Sequence, residues 1–201
     1  MSKIDAFGRH KRYIWNELAE QLGGEFVRGK FFRPDRVEAW HHDWMVTLDT
    51  FQVDKMTFTR LRSPFINRDD FQFKILREHF GHRIGKAFGK QDVIVGHPKF
   101  DDEFIIQGND EHKLNMMFAN PEIRKLISYQ PKIQLELRPE APLFTKPKFP
   151  PDVNELYFHA GVIIRNLDQL HDLFDLFAEC LDHLCAIGTA YEDDPEFQYY
   201  T

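Results

Sequence analysis

Cysteine is nearly absent: the chain of 201 residues has two, Cys180 and Cys185. Two thiols five residues apart build no disulfide framework, so a reducing cytosol is the expected compartment and an apolar core must hold the fold. Long apolar runs are missing too. No stretch approaches the roughly 20 residues of a membrane span. The segment Met1 to Arg12 is polar and basic without an apolar centre, so neither a membrane anchor nor a signal peptide is expected. A basic surplus is also lacking, with net charge −6 and a pI near 5.9. Proteins that bind nucleic acid non-specifically use such a surplus to neutralise phosphates, so nucleic acid is not an expected partner. No G-x-x-x-x-G-K-[ST], no G-x-G-x-x-G after a strand and no G-x-S-x-G occurs, which removes the common nucleotide and serine-nucleophile signatures.

What the chain has in quantity is phenylalanine, twenty in all. Phe carries no polar tip, so the simplest use of so many is an aromatic core. With 42% hydrophobic and 29% charged residues, the composition is globular. The length suits one domain over residues 1–201.

The hydrophobic period divides the chain. Ser2 to Leu22 repeats Phe7, Ile14, Trp15, Leu18 and Leu22 at helical spacing, and Gly23-Gly24 ends it. Five short β-type runs follow: Glu25–Phe32, Arg36–His41, Trp44–Phe51, Met56–Arg62 and Phe71–Arg77. No helix separates them, so they pair antiparallel, with His42-Asp43 at one hairpin tip. Val93–Val95 and Phe104–Ile106 supply one or two further strands around a Gly-His-Pro turn. Asn109 or Asp110 caps a short helix through Phe118, and Asn120-Pro121 starts another through Ile127. Ile133–Leu137 and Glu155–Ile164 read as strands. Between them, residues 139–151 hold five prolines in thirteen positions, which suits a stiff connection inside the domain and not a central strand.

The last helix is the plainest element. Asn166 and Gln169 form its start signal and Gly188 its stop. Leu167, Leu170, Phe174, Phe177, Leu181 and Leu184 make one apolar stripe, with Leu173, Leu176, Cys180 and Ile187 beside it. Acidic residues fill the opposite side. So wide an apolar arc predicts a helix lying on a sheet face. A homodimer contact or a pocket wall is the alternative use of part of it. The expected fold class is therefore α+β: a mainly antiparallel sheet covered by a long C-terminal helix, with an N-terminal helix and a short helical pair.

Candidate chemistry is sparse. His97 beside Asp101 and Asp102 could act as an acid–base pair, because His titrates near neutrality. Gly-His-Pro is also ordinary turn chemistry, and Asp101-Asp102-Glu103 lacks calcium-loop spacing. His79 with His82, and His41 with His42, are two-His signals without a Cys partner or an H-E-x-x-H frame, so they read as surface turns. Cys180, His183 and Cys185 point in different directions around one helix, with about 140° between the two thiols, and cannot converge on an ion. No metal centre and no cofactor is expected.

Charge placement says more. From Thr57 to Lys90 eight basic residues face three acidic ones, a local +5, while Asp152 to Thr201 is a local −10. The bland explanation is complementarity within the chain. The functional one is a basic surface for a small anionic ligand or an acidic protein partner. On that reading the ligand-binding candidates are Arg77, Arg83, Lys86, His97 and Asp101.

Gly85, Lys86, Phe88, Gly89, Gln91, Asp92, Phe100, Asp101, Phe104, Asn109 and Asp110 form a Gly-Lys-x-Phe-Gly-x-Gln-Asp core, a Phe-Asp-x-x-Phe segment and a Gly-Asn-Asp turn. In these the chain resembles a family of uncharacterised bacterial proteins. The resemblance spans under a third of the chain and implies no activity. Some similar proteins carry membrane-spanning segments ahead of this region; no such segment is visible here. The expected function is a non-enzymatic binding or interaction module. The alternative is a metal-dependent hydrolase using His79, His82, His97 and Asp101.

Overall fold

The computed structural model describes residues 3–31, 33–78, 92–139 and 149–200, with side chains from His10 onward. In chain order the elements are α1 (Lys3–Gln21), β1 (Glu25–Val27), β2 (Arg36–His41), β3 (Trp44–Val53), β4 (Met56–Asn67), β5 (Phe73–Arg77), α2 (Pro98–Glu103), β6 (Phe104–Gly108), α3 (Glu111–Ala119), α4 (Pro121–Tyr129), β7 (Gln134–Arg138), β8 (Val153–Ala160), α5 (Leu167–Ala186) and β9 (Ala190–Tyr191). The strands form one sheet in the order β1-β2-β3-β4-β8-β7-β5-β6, with β9 added on β4, and every pairing is antiparallel. This is the α+β architecture expected from the sequence.

Strand alternation sorts the two faces. Val37, Leu48, Leu61, Phe158, Leu135, Ile75 and Ile106 lie side by side across seven strands. All seven are essentially buried and share one core with Trp15 and Leu18 of α1, Leu114 and Phe118 of α3, and Ile123 and Ile127 of α4. The apolar arc of α5 joins the same core: Leu170, Leu173, Phe174, Leu176, Phe177, Cys180, Leu181 and Leu184 are all buried. The arc is thus used within the chain. Cys180 and Cys185 are free thiols, the first buried.

Local signals explain the helix ends. Asn166 accepts from the Gln169 amide at 2.7 Å. Gly188 at φ +74 closes α5, its N–H reaching Cys185 O while that of Thr189 reaches Leu184 O, the paired bonds of a Schellman stop. Asp110 and Asn120 cap α3 and α4 as expected. At the far end of the chain, Gly24 must be glycine, because a Cβ there would sit 2.4 Å from Glu38 O.

Several elements differ from expectation. Val93–Val95 forms no strand, β9 is an added one, and residues 98–103 form a short helix with proline in its first turn that was not expected. Strand β4 runs on through Pro64, beyond the predicted Arg62. Arg62 is the last residue paired with β3, so the proline meets only β8, opposite Glu155, and the strand tolerates it as it would at an edge. The first run keeps only three residues as strand, Glu25–Val27. Most of the Pro-rich connection, and the segment carrying His79, His82, Arg83, Lys86 and Lys90, lie outside the described residues.

Candidate functional site

Gly96 at φ +80 turns the chain into α2, a conformation glycine adopts without steric penalty. Asp101, one turn into that helix, accepts the Val95 amide at 2.9 Å and the His97 amide at 2.8 Å. Both carboxylate oxygens therefore brace the turn, and the contact with His97 is through its backbone. Among the described contacts the geometry offers no acid–base pair here; Asp101 fixes the backbone at His97. Phe100 and Phe104, with ring centroids 4.7 Å apart, anchor the segment in the core. Asn109 bridges Gln72 and Asp70, and Asp92 accepts from Gln107. The described residues of the family-like motif thus build the turns of this region.

Between α2 and α4 lies an open groove of about 390 Å³, lined by His97, Pro98, Lys99, Phe100, Glu103, Arg124, Lys125 and Ser128. Three fixed cations face one carboxylate. That carboxylate is tied: Arg77 Nη1 donates to Glu103 at 2.9 Å. Arg77 also donates to Ser128 O and Gln130 O and lies over the Phe104 ring. A cation on the last carbonyls of α4 offsets the negative end of that helix, which would otherwise repel an anion. Arg124 donates to Phe118 O and Ala119 O, closing α3 in the same way. Lys125 pairs with Glu122 at 2.7 Å in an exposed contact, while Lys99 is exposed with no ion-pair partner among the described residues. Of the expected ligand residues, His97 lines the groove, while Arg77 and Asp101 lie behind it, holding Glu103 and the His97 backbone. Arg83 and Lys86 are outside the described residues. Lys99, Arg124 and Lys125 were missed by the sequence reading, because only the packing of α2 beside α4 puts residues 99 and 124 on one groove.

Among the described residues of the basic region, Arg60, Arg62, Lys74 and Arg77 each pair with an acidic group of the chain. They are engaged mostly on the sheet face away from the helices. Asp49 is fully buried and accepts from Arg60 at 2.7 and 2.9 Å, Arg62 at 2.6 Å and Tyr200 at 2.5 Å. Arg138 pairs with buried Glu155 and lies over the Tyr157 ring at 3.4 Å. Tyr199 donates to the same carboxylate, and Lys74 pairs with Glu136. Burial pushes the Asp49 carboxyl up, but Arg62 and Arg60 outweigh it and hold it below the usual range. Glu136 behaves likewise, with Lys74 as its main partner. Complementarity within the chain therefore accounts for these residues.

His159 sits in this layer between the Phe51, Phe58 and Tyr157 rings. Burial, joined by Arg138, Lys74 and Arg60, pushes its imidazole down to about 4. The unfolded chain binds this proton near pH 6.5, so folding stability is fully present above that pH and is lost as pH falls toward 4. The expected loss from His159 is about 3 kcal/mol. Asp49 and Glu136, also depressed, add their losses below the ordinary carboxylate range. Urea unfolding at pH 7.5 and 4.5 measures the slope. His159→Phe should flatten it while leaving stability at pH 7.5 near native, and an unchanged slope would show that another group takes up the proton.

Among the described residues no helix is long and apolar enough to cross a membrane. No family model and no curated protein matches the chain. One solved structure it resembles is the crystal structure of the mycobacterial trehalose monomycolate transport factor A, TtfA. The TM-score is 0.50 at 9% identity, over 91% of this chain and 99% of that one. At that identity the likeness is one of fold, and the chain shares its α+β architecture with a transport factor.

Proposed function

We propose that the protein is a non-enzymatic binding module that takes a small anionic ligand in the groove between α2 and α4. The observation that carries this reading is the excess of positive charge there: among the described residues exposed Lys99 has no ion-pair partner, it lies beside Arg124 and Lys125, and Glu103 is held by Arg77. His97, its backbone fixed by Asp101, adds a ring N–H at the rim. A shallow, charged, solvent-open groove suits phosphate or carboxylate groups better than an apolar guest. Two free thiols, one of them buried, fit a reducing compartment such as the cytosol.

Inorganic pyrophosphate is the probe. Calorimetric titration should show saturable binding that weakens as salt screens the exposed cations. Both lysines are exposed and contribute modestly, so Lys99→Ala with Lys125→Ala should weaken binding roughly tenfold. Both side chains are exposed, so the double variant should fold normally. Equal affinity in the wild type and the double variant would count against the groove.

A further inference from the structure

The β2–β3 hairpin tip carries His41 and His42, and the fold lays it against the end of α5. There His41 Nε2 lies 2.8 Å from Asp182 Oδ1, and His42 Nε2 lies 3.6 Å from the same oxygen. One donor atom from each of the three residues falls within 4.8 Å of the others. On its other side, His42 Nδ1 is 3.0 Å from Glu192 Oε1. A carboxylate only accepts, so the contact with Glu192 places a proton on Nδ1 and leaves Nε2, which faces Asp182, as the ring nitrogen that can coordinate a cation.

We propose that His41, His42 and Asp182 form a site for a divalent transition metal ion of the zinc class, with Glu192 as the positioning residue for His42. Two imidazole nitrogens and one carboxylate oxygen are the donor set such ions favour. A tetrahedral ion bonded at about 2.0–2.2 Å needs donors only slightly over 3 Å apart, so the observed spacing closes with small side-chain rotations. A carboxylate on the far nitrogen of a ligating histidine fixes its tautomer and raises its basicity, and Glu192 stands in that place. Asp182 comes from a rigid helix. The His41 ring is held over Trp44, with centroids 6.1 Å apart and planes 26° from parallel.

His42 has φ +51, the left-handed conformation that a two-residue hairpin turn requires and that His adopts more readily than most residues. The surroundings are negative. Burial, then the charges of Glu192 and Asp182, raise the thiol of nearby Cys185. His42 and Asp182 are about half exposed, at 49% and 50%, which leaves at least one coordination position for water. The ion would clasp the hairpin to α5. The sequence reading took His41-His42 as a surface turn, since Asp182 lies 141 residues away.

Tag-free, chelator-treated full-length protein titrated with Zn²⁺ by calorimetry tests the site. The wild type should take up about one ion per chain. His42→Gly suits the left-handed turn and should preserve or improve folding, so its loss of binding cannot be blamed on misfolding. His42→Gly and Asp182→Asn should each abolish saturable binding. Glu192→Gln should leave it roughly 10–100-fold weaker. His112→Ala, on exposed α3, should change nothing. The proposal is overturned if the wild type shows no saturable binding, if His42→Gly and Asp182→Asn bind as the wild type does, or if His112→Ala weakens binding as much as they do.

Discussion

Asp49→Ala is expected to destabilise the protein by about 3–5 kcal/mol. Asp49 has no exposed surface and neutralises two guanidiniums that are themselves largely buried, Arg60 and Arg62. Removing a buried carboxylate leaves those charges uncompensated in a medium that solvates them poorly, a larger penalty than the pair's own net attraction. The loss also frees the Tyr200 hydroxyl, which donates to Asp49, and with it the end of the chain that runs over this face. A protein of this size is stable by only about 5–15 kcal/mol, so the variant should approach the limit of folding at room temperature. Lys125→Ala breaks an ion pair of similar length that is exposed to water, and should change stability little. Urea unfolding of both measures the contrast. Similar midpoints would mean that the charges on this face act separately and are solvated.

Phe177→Ala should cost about 3–5 kcal/mol as well, for a different reason. The side chain is fully buried on α5 and belongs to the core that includes the sheet and the other helices. Truncation removes its transfer free energy and leaves a cavity that a helix held by neighbours on several sides cannot close. Phe174, 6% exposed, should show a similar but smaller loss. Asp175, between them in sequence, is exposed, and Asp175→Ala should change stability by about 0.5 kcal/mol or less. Thermal melting with sedimentation separates the readings of this helix. A core anchor lowers the melting temperature at constant mass. Near-native melting at constant mass would contradict the place of Phe177 in the core.

Apart from α2, the described helices were legible because their signals are local. Asn120-Pro121 and Asn166 with Gly188 mark ends within a turn or two of the residues they cap. Most strand edges were legible for the same reason, at the His42-Asp43 turn above all. Strand β4 beyond Arg62 was not, because whether Pro64 is tolerated depends on which neighbours β4 has at that point. The charged layer was hidden at a further level. Asp49, Arg60, Tyr157 and Glu136 look like polar positions of solvated strands until β8 and β7 are inserted between β4 and β5. The acidic C-terminal region looked like a surface of one sign, yet Tyr199 and Tyr200 at its end are packed on buried arginines. The groove was half legible: the Gly-His-Pro turn drew attention to His97 and Asp101, but not to the cations that α4 adds.

The most direct measurement of the binding proposal is a map of backbone amide shifts during titration with inorganic pyrophosphate. Saturable shifts should concentrate at residues 96–103 and 121–130, the two sides of the groove, and should vanish in the Lys99→Ala, Lys125→Ala variant. Shifts centred elsewhere on the chain, or none that saturate, would contradict the account.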